Sequence, residues 1–225
     1  MRDHLILLPG WGLGSLPLEV LAEALRGLDP ALRVDIEPLP ELSSGEPRDW
    51  LLELDERLPP HTWLGGWSLG GMLASELAAL RGERCRGLLT LASNPCFVAG
   101  CRDHPAATLK RFSLLCTQGS SEARGLARQL QAAAPHLAPE VLLAGLEVLG
   151  NFDGRSALQR FTGPQLHLLA GADALVPAEV AGELLSLQPD IEVGLIEEVS
   201  HAFPLERPHE VAAAIHAFIT EAGDV

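Results

Sequence analysis

The chain has 225 residues, 47% of them hydrophobic, which is enough to bury one sizeable core and argues for a single domain with at most an inserted subdomain. A formal charge of -14 argues against nonspecific binding to nucleic acid or to an anionic membrane surface. No apolar run approaches the ~20 residues of a membrane span, and Met1-Arg2-Asp3-His4 with its short apolar sequel lacks the pattern of a signal peptide, so a cytoplasmic protein is expected.

Leu5-Ile6-Leu7-Leu8 is a continuous apolar run ended by Pro9-Gly10-Trp11-Gly12-Leu13-Gly14, which suits a buried parallel strand feeding a turn. A helix is expected over Pro17 to Leu28. Glycines 10, 12 and 14 invite a dinucleotide-binding reading, but the third glycine of that fingerprint would fall at Ser15, and Trp11 is bulky where a pyrophosphate needs bare backbone. The loop reads better as a neighbour of a nucleophile, offering a backbone N–H to a developing oxyanion. A second strand is expected over Leu32 to Glu37, then a helix over Asp49 to Leu58.

The central stretch is Thr62-Trp63-Leu64-Gly65-Gly66-Trp67-Ser68-Leu69-Gly70-Gly71. An apolar run stops at a serine held between glycines, and helical spacing begins at once, so Ser68 is expected on a strand-to-helix corner as a nucleophile. Gly66 and Gly70 keep side chains out of the place where strand and helix nearly touch.

Another buried strand is expected over Leu88 to Ala92, and the strand–helix alternation implies an α/β fold with a mostly parallel sheet flanked by helices. The alternation breaks after Ser93-Asn94-Pro95-Cys96-Phe97. Short helices follow, expected at Thr108–Cys116, Ser121–Ala133 and Pro139–Leu149, and they read as a helical insertion over residues 99–160 between core segments 1–98 and 161–225. Cys85, Cys96, Cys101 and Cys116 show no CxxC spacing and are expected as reduced thiols, with a Cys96–Cys101 pair the less favoured alternative.

Alternation resumes with a strand at Gln165 to Ala170, a helix at Ala178 to Leu187, a last strand at Ile191 to Ile196 and a closing helix around Pro208–Thr220. In such a sheet the ligand crevice lies at the carboxyl ends of the strands, and Trp11, Ser68, Asp173 and His201 all follow strand ends.

A serine needs a base, and the base needs a carboxylate to fix its tautomer. Any of eight histidines could serve. His167 lies inside a strand and reads as a core residue; His209 and His216 fall on the last helix; His61, His104 and His136 read as loop or lid-surface residues. His201, in a short loop after a late strand, is the choice, and Asp173 is the carboxylate because Asp153 and Asp190 precede strands. The order Ser68, Asp173, His201 is the one expected of this machinery on this kind of sheet. Leu69 and Trp11 are the expected oxyanion donors, while the Trp11 and Trp67 rings could equally be core packing. No metal-ligand spacing is present, and neither metal nor cofactor is expected.

Gly10-Trp11-Gly12, Gly66-Trp67-Ser68-Leu69-Gly70-Gly71, Ala92-Ser93-Asn94-Pro95-Cys96-Phe97, Arg111-Phe112 and Ser200-His201-Ala202 together resemble the BioH family of α/β-hydrolases, the pimeloyl-acyl carrier protein methyl ester esterases of biotin synthesis. The resemblance runs over nearly the whole chain. It implies an α/β-hydrolase fold with an inserted helical lid, a Ser68–Asp173–His201 triad, ester contacts from Trp11 and Leu69, and an acyl channel lined by Phe112, Ser113, Leu114, Leu115 and Cys116. It also implies an acyl carrier protein as partner, with a monomeric enzyme expected. The chain departs from the family in carrying Pro9-Gly10 where many relatives have His-Gly, in starting at what would be the family's third strand, and in a lid shortened between Phe97 and Phe112. A carboxylesterase or thioesterase of broader range, and a hydrolase-like binding protein without turnover, are the alternatives.

Charge bears on the partner separately. From Arg102 to Arg128 the basic residues Arg102, Lys110, Arg111, Arg124 and Arg128 face only Asp103 and Glu122, and Lys110 is the only lysine in the chain. Read alone, this is an ordinary solvated helix face. Beside the resemblance, Lys110, Arg111, Arg124 and Arg128 become the expected docking surface for an acidic carrier protein.

Overall fold

The computed structural model describes residues 3–96 and 105–223, and only the backbone of 105–109. The expectations for Phe97, Cys101, Arg102, Asp103 and His104, the Cys96–Cys101 pairing among them, lie outside the described residues.

Six strands, β1 (His4–Leu8), β2 (Arg33–Ile36), β3 (Thr62–Trp67), β4 (Cys85–Leu91), β5 (Gln165–Ala170) and β6 (Glu192–Ile196), form one sheet in the order β2-β1-β3-β4-β5-β6. Every neighbouring pair is parallel. The expected strands are all present. The continuous apolar run of β1 follows from burial on both faces: successive side chains point to opposite sides, so Leu5 and Leu7 join one core cluster while Ile6 and Leu8 join the other.

The first cluster is built with α1 (Leu16–Leu28) and the closing helix, Pro208–Gly223. The second is built with α2 (Pro47–Arg57) and α3 (Leu69–Arg81). At roughly 25 cal/mol per Å² of buried apolar surface, these two layers are the main source of stability.

The insertion contains α4 (Pro105–Cys116), α5 (Ala123–Ala133) and α6 (Pro139–Asn151), followed by a short α7 (Arg155–Arg160) that the sequence reading did not resolve. The chain returns through β5, α8 (Val180–Leu187), β6, a four-residue α9 (Phe203–Glu206) and α10 (Pro208–Gly223). The sixteen-residue α10 begins with Pro208, whose missing N–H is no loss at a first helical position.

The glycines of the corner have a steric reason. A Cβ on Gly66 would stand 2.2 Å from the Gly70 carbonyl, and one on Gly70 would stand 2.3 Å from the Leu8 oxygen. Strand β3, helix α3 and the end of β1 therefore pass closer than any side chain permits.

Candidate active site

Ser68 sits between β3 and α3 with φ 56° and ψ -121°, a backbone conformation that L-residues seldom adopt and that costs of order 1–3 kcal/mol. The surrounding structure holds it there. The Ser68 amide donates to the Leu91 carbonyl at 2.9 Å, tying the corner to β4, while its own carbonyl accepts the Ser93 hydroxyl at 2.6 Å and the Gly71 amide at 2.9 Å. Ser93 stands just past the end of β4, after the positive-φ residue Ala92, and no local sequence pattern marks it as a donor to Ser68.

The Gly10-Trp11-Gly12 loop lies beside this corner: a Cβ on Gly10 would stand 3.4 Å from the Ser68 Cβ. The Leu69 amide opens α3, where the helix macrodipole places partial positive charge. Among the described residues neither the Leu69 nor the Trp11 amide donates a hydrogen bond.

Asp173 follows β5 by three residues. Its Oδ1 accepts the amides of Leu175 at 2.7 Å and Val176 at 3.0 Å, and its Oδ2 lies 2.7 Å from His201 Nδ1. Both side chains are inaccessible, at 0% for Asp173 and 1% for His201. Such a pair fixes the imidazole ring and puts the proton on Nδ1, leaving the Nε2 lone pair free to accept another. His201 Nε2 is buried and has no hydrogen-bond partner among the described residues, so a Ser68–His201 hydrogen bond is not formed. Contacts of this kind are commonly long outside the reacting complex.

The residue before Ser68 nevertheless touches His201. The Trp67 indole N–H donates to the His201 carbonyl at 2.9 Å, and the two rings are 6.0 Å apart. Trp67 is thus core packing and an anchor of the histidine loop together.

The helices between β4 and β5 pack against the cluster. Phe112, on α4, stacks edge-on against Trp11 at 5.3 Å and against His201 at 6.4 Å. The Cys116 carbonyl, at the end of α4, accepts the Ala202 amide at 3.0 Å. Gly119, with φ 97°, brings the next turn so near the Asp173 loop that a Cβ there would stand 2.2 Å from the Ala172 oxygen. The Trp11 indole is held by the Leu142 carbonyl of α6 at 2.9 Å.

The expected channel stretch does not face one way. Ser113 and Cys116 are buried and Phe112 is half-buried, whereas Leu114 and Leu115 are 52% and 41% exposed. Consecutive residues on a helix turn by about 100°, so five in a row cannot form a single lining. Burial, and then the nearby Asp173 carboxylate, push the Cys116 thiol well above its usual range. Lys110, Arg111, Arg124 and Arg128 are all exposed, the last two one helical turn apart on α5.

Of the other histidines, His167 is a core residue, with Nδ1 2.7 Å from the Thr90 hydroxyl and burial pushing its pKa down to about 4. His4 pairs with Asp35 at 2.8 Å, and His61 is exposed. Among the described residues no group of three or more His, Cys, Asp or Glu side chains could hold a metal ion, and no helix is long and apolar enough to cross a membrane. Cys85, Cys96 and Cys116 are free thiols.

Known proteins agree with this architecture. The chain is 36% identical to the pimeloyl-[acyl-carrier protein] methyl ester esterase of Serratia marcescens, covering 97% of this chain and 94% of the relative. It is 32% identical to the biotin biosynthesis bifunctional protein BioHC of Cellvibrio japonicus (strain Ueda107) over 96% of this chain, and it spans about half of that longer relative, 47%. Among solved structures it is similar to a bromoperoxidase from Bacillus anthracis, with TM-score 0.82, 19% identity and 98% and 92% of the two chains covered. A thermophilic esterase from Thermogutta terrifontis has TM-score 0.79, with 19% identity and coverage of 98% and 90%. These two likenesses concern the fold. A family model described as the alpha/beta hydrolase family matches residues 5–214, and with the parallel sheet and its serine corner the chain belongs to the α/β-hydrolase family.

Proposed function

We propose that this chain is a serine carboxylesterase that hydrolyses the methyl ester of a pimeloyl group carried on acyl carrier protein, a step of biotin biosynthesis. The observation that carries the catalytic part is the buried Asp173–His201 pair, with an unpartnered Nε2, packed against Trp67, the residue before Ser68. The substrate follows from the relatives of about one-third identity that bear that esterase name over nearly their whole length.

In the proposed reaction His201 Nε2 takes the Ser68 hydroxyl proton as the oxygen attacks the ester carbonyl. Asp173 keeps Nδ1 protonated and stabilises the imidazolium. The amides of Leu69 and Trp11 receive the oxyanion; a preorganised donor of this kind lowers the barrier by about 3–4 kcal/mol. His201 then protonates the departing methanol, and a water activated by the same nitrogen releases the acid from Ser68. This chemistry draws on no metal or cofactor.

Residues 99–160 form the lid of this reading, over a core made of 1–98 and 161–225. Phe112 covers the reacting groups, and Phe112, Ser113 and Cys116 shape the acyl path on the inner side. Lys110, Arg111, Arg124 and Arg128 are the docking surface for the acidic carrier protein, since exposed positive charge on an acidic molecule steers an acidic partner to one place. The enzyme acts as a monomer in the cytoplasm.

The test compares methyl pimeloyl-acyl carrier protein with p-nitrophenyl acetate for the wild type and Ser68→Ala. The wild type should cleave both, with kcat/KM higher for the carrier-bound ester, and Ser68→Ala should lose about 10⁴-fold or more in kcat. Ester hydrolysis that survives Ser68→Ala overturns the triad; equal preference for the two esters makes the chain a broader carboxylesterase.

A further inference from the structure

The loop that presents His201 is held from outside the triad. Ser200 is completely buried, so its amide N–H and its hydroxyl both need a protein acceptor. One atom supplies it: Glu206 Oε2 accepts the Ser200 amide at 3.0 Å and the Ser200 hydroxyl at 2.8 Å. The Ser200 hydroxyl oxygen in turn accepts the Ala202 amide at 3.3 Å, and the Ser200 carbonyl accepts the Phe203 amide at 3.0 Å. The residues before and after His201 are therefore tied into one network that ends on the Glu206 carboxylate. Helix α9 returns the chain so that residue 206 comes back to residue 200, with the Glu206 amide donating to the Ala202 carbonyl at 3.0 Å.

We propose that Glu206 is a positioning residue for the base, its carboxylate clamping Ser200 and so fixing the main chain on which His201 is carried. This rests on the reading of His201 as the base. The clamp sets where the imidazole starts, and Asp173 sets how the ring is turned. A single side-chain oxygen that accepts from both the amide and the hydroxyl of Ser200 suits a device that must hold a buried loop still. Glu206 acts through Ser200, whose amide and hydroxyl its carboxylate accepts. Its loss should be felt in the chemical step, where small misplacement of a catalytic group is costly, and hardly at all in substrate binding.

The experiment measures p-nitrophenyl acetate hydrolysis by the full chain, E206A, E206Q and S200A, with S68A and H201A as references. E206A should lower kcat about 10- to 100-fold while KM moves by less than about threefold. E206Q should recover most of that loss, because the amide oxygen keeps both acceptor positions. The proton resonance of the His201 Nδ1–H should stay sharp in E206Q and broaden in E206A. Wild-type kcat in E206A overturns the assignment, and so does a loss that E206Q fails to recover, since that would assign the effect to charge alone. If E206A does not fold, S200A decides, because it deletes one of the two donors; kcat unchanged there also overturns the clamp. An unaffected E206A beside inactive S68A and H201A would remove the clamp and leave the catalytic reading standing. An active H201A would remove the catalytic reading itself.

Discussion

The indole nitrogen of Trp67 and the main-chain carbonyl of His201 are hydrogen-bonded at 2.9 Å across 134 residues of sequence. The residue that precedes Ser68 thereby holds the loop that carries His201. Ring contact at 6.0 Å continues the same link, and both side chains are sealed from solvent. Ser68 and His201 are thus coupled through their neighbours without a direct hydrogen bond between them.

Trp67→Phe keeps an aromatic ring in the core and deletes the donor. The His201 carbonyl is then buried without this partner, at a cost of about 1–3 kcal/mol. Chemical denaturation should report that loss, and ester hydrolysis should show kcat reduced about tenfold with KM nearly constant. A variant of wild-type stability and wild-type kcat would show that the link carries no weight.

Gly70→Ala and Gly182→Ala make a matched pair. At Gly70 the added methyl meets backbone oxygens of Leu8 and Pro9 at 2.3 and 2.5 Å, whereas at Gly182, inside α8, nothing lies within 4 Å. Overpacking against backbone should cost Gly70→Ala about 3 kcal/mol or more and lower Tm by roughly 6–12 °C. Gly182→Ala should gain about 0.5–1 kcal/mol from helix propensity. Thermal melts of the two variants with equal Tm would contradict the close approach of β1 and α3.

His167 predicts a specific loss of stability in mild acid. Burial holds its folded pKa at about 4 against an ordinary value of 6.5, so between these values the unfolded chain binds a proton that the native chain refuses. Unfolding free energy therefore rises with pH through this window and falls as pH drops from about 6.5 toward 4. Between pH 7 and 5 the wild type should lose about 2 kcal/mol more than His167→Gln, measured by urea unfolding at both values. Parallel curves for the two proteins would rule out a neutral buried imidazole.

The proposed docking surface can be tested apart from the proposed chemistry. Arg124→Glu with Arg128→Glu replaces two exposed cations on one face of α5 by anions. KM for a carrier-bound ester should rise about tenfold at low salt and less at high salt, while p-nitrophenyl acetate is hydrolysed as before. An equal effect on both substrates would show that the change damages the fold around α5 and not an encounter surface.

Much of the fold was legible because its signals are local. Continuous apolar runs marked the central strands, interrupted apolar patterns marked β2 and β6, proline or glycine followed most of them, and the expected helices appear with ends shifted by a few residues. Helices α7 and α9 escaped because six and four residues are too short to display a helical period. The serine corner was readable for the same local reason: the glycines that permit the close approach stand beside Ser68 in the chain.

The choice of Asp173 and His201 rested on their places after strands, and the 2.7 Å contact between them joins residues 28 apart. Tertiary structure alone decided how that contact is supported: Trp67 on the His201 carbonyl, Ser93 on the Ser68 carbonyl, and Glu206 on Ser200. It also decided that Phe112 turns toward His201 while Leu114 and Leu115 are exposed. Sequence by itself determined the alternating strands and helices and the corner, because those follow from hydrophobic period and backbone freedom within a few residues. Only the packed chain settled which polar groups meet, because a buried donor takes whichever acceptor the fold brings within 3 Å, however far away it lies in sequence.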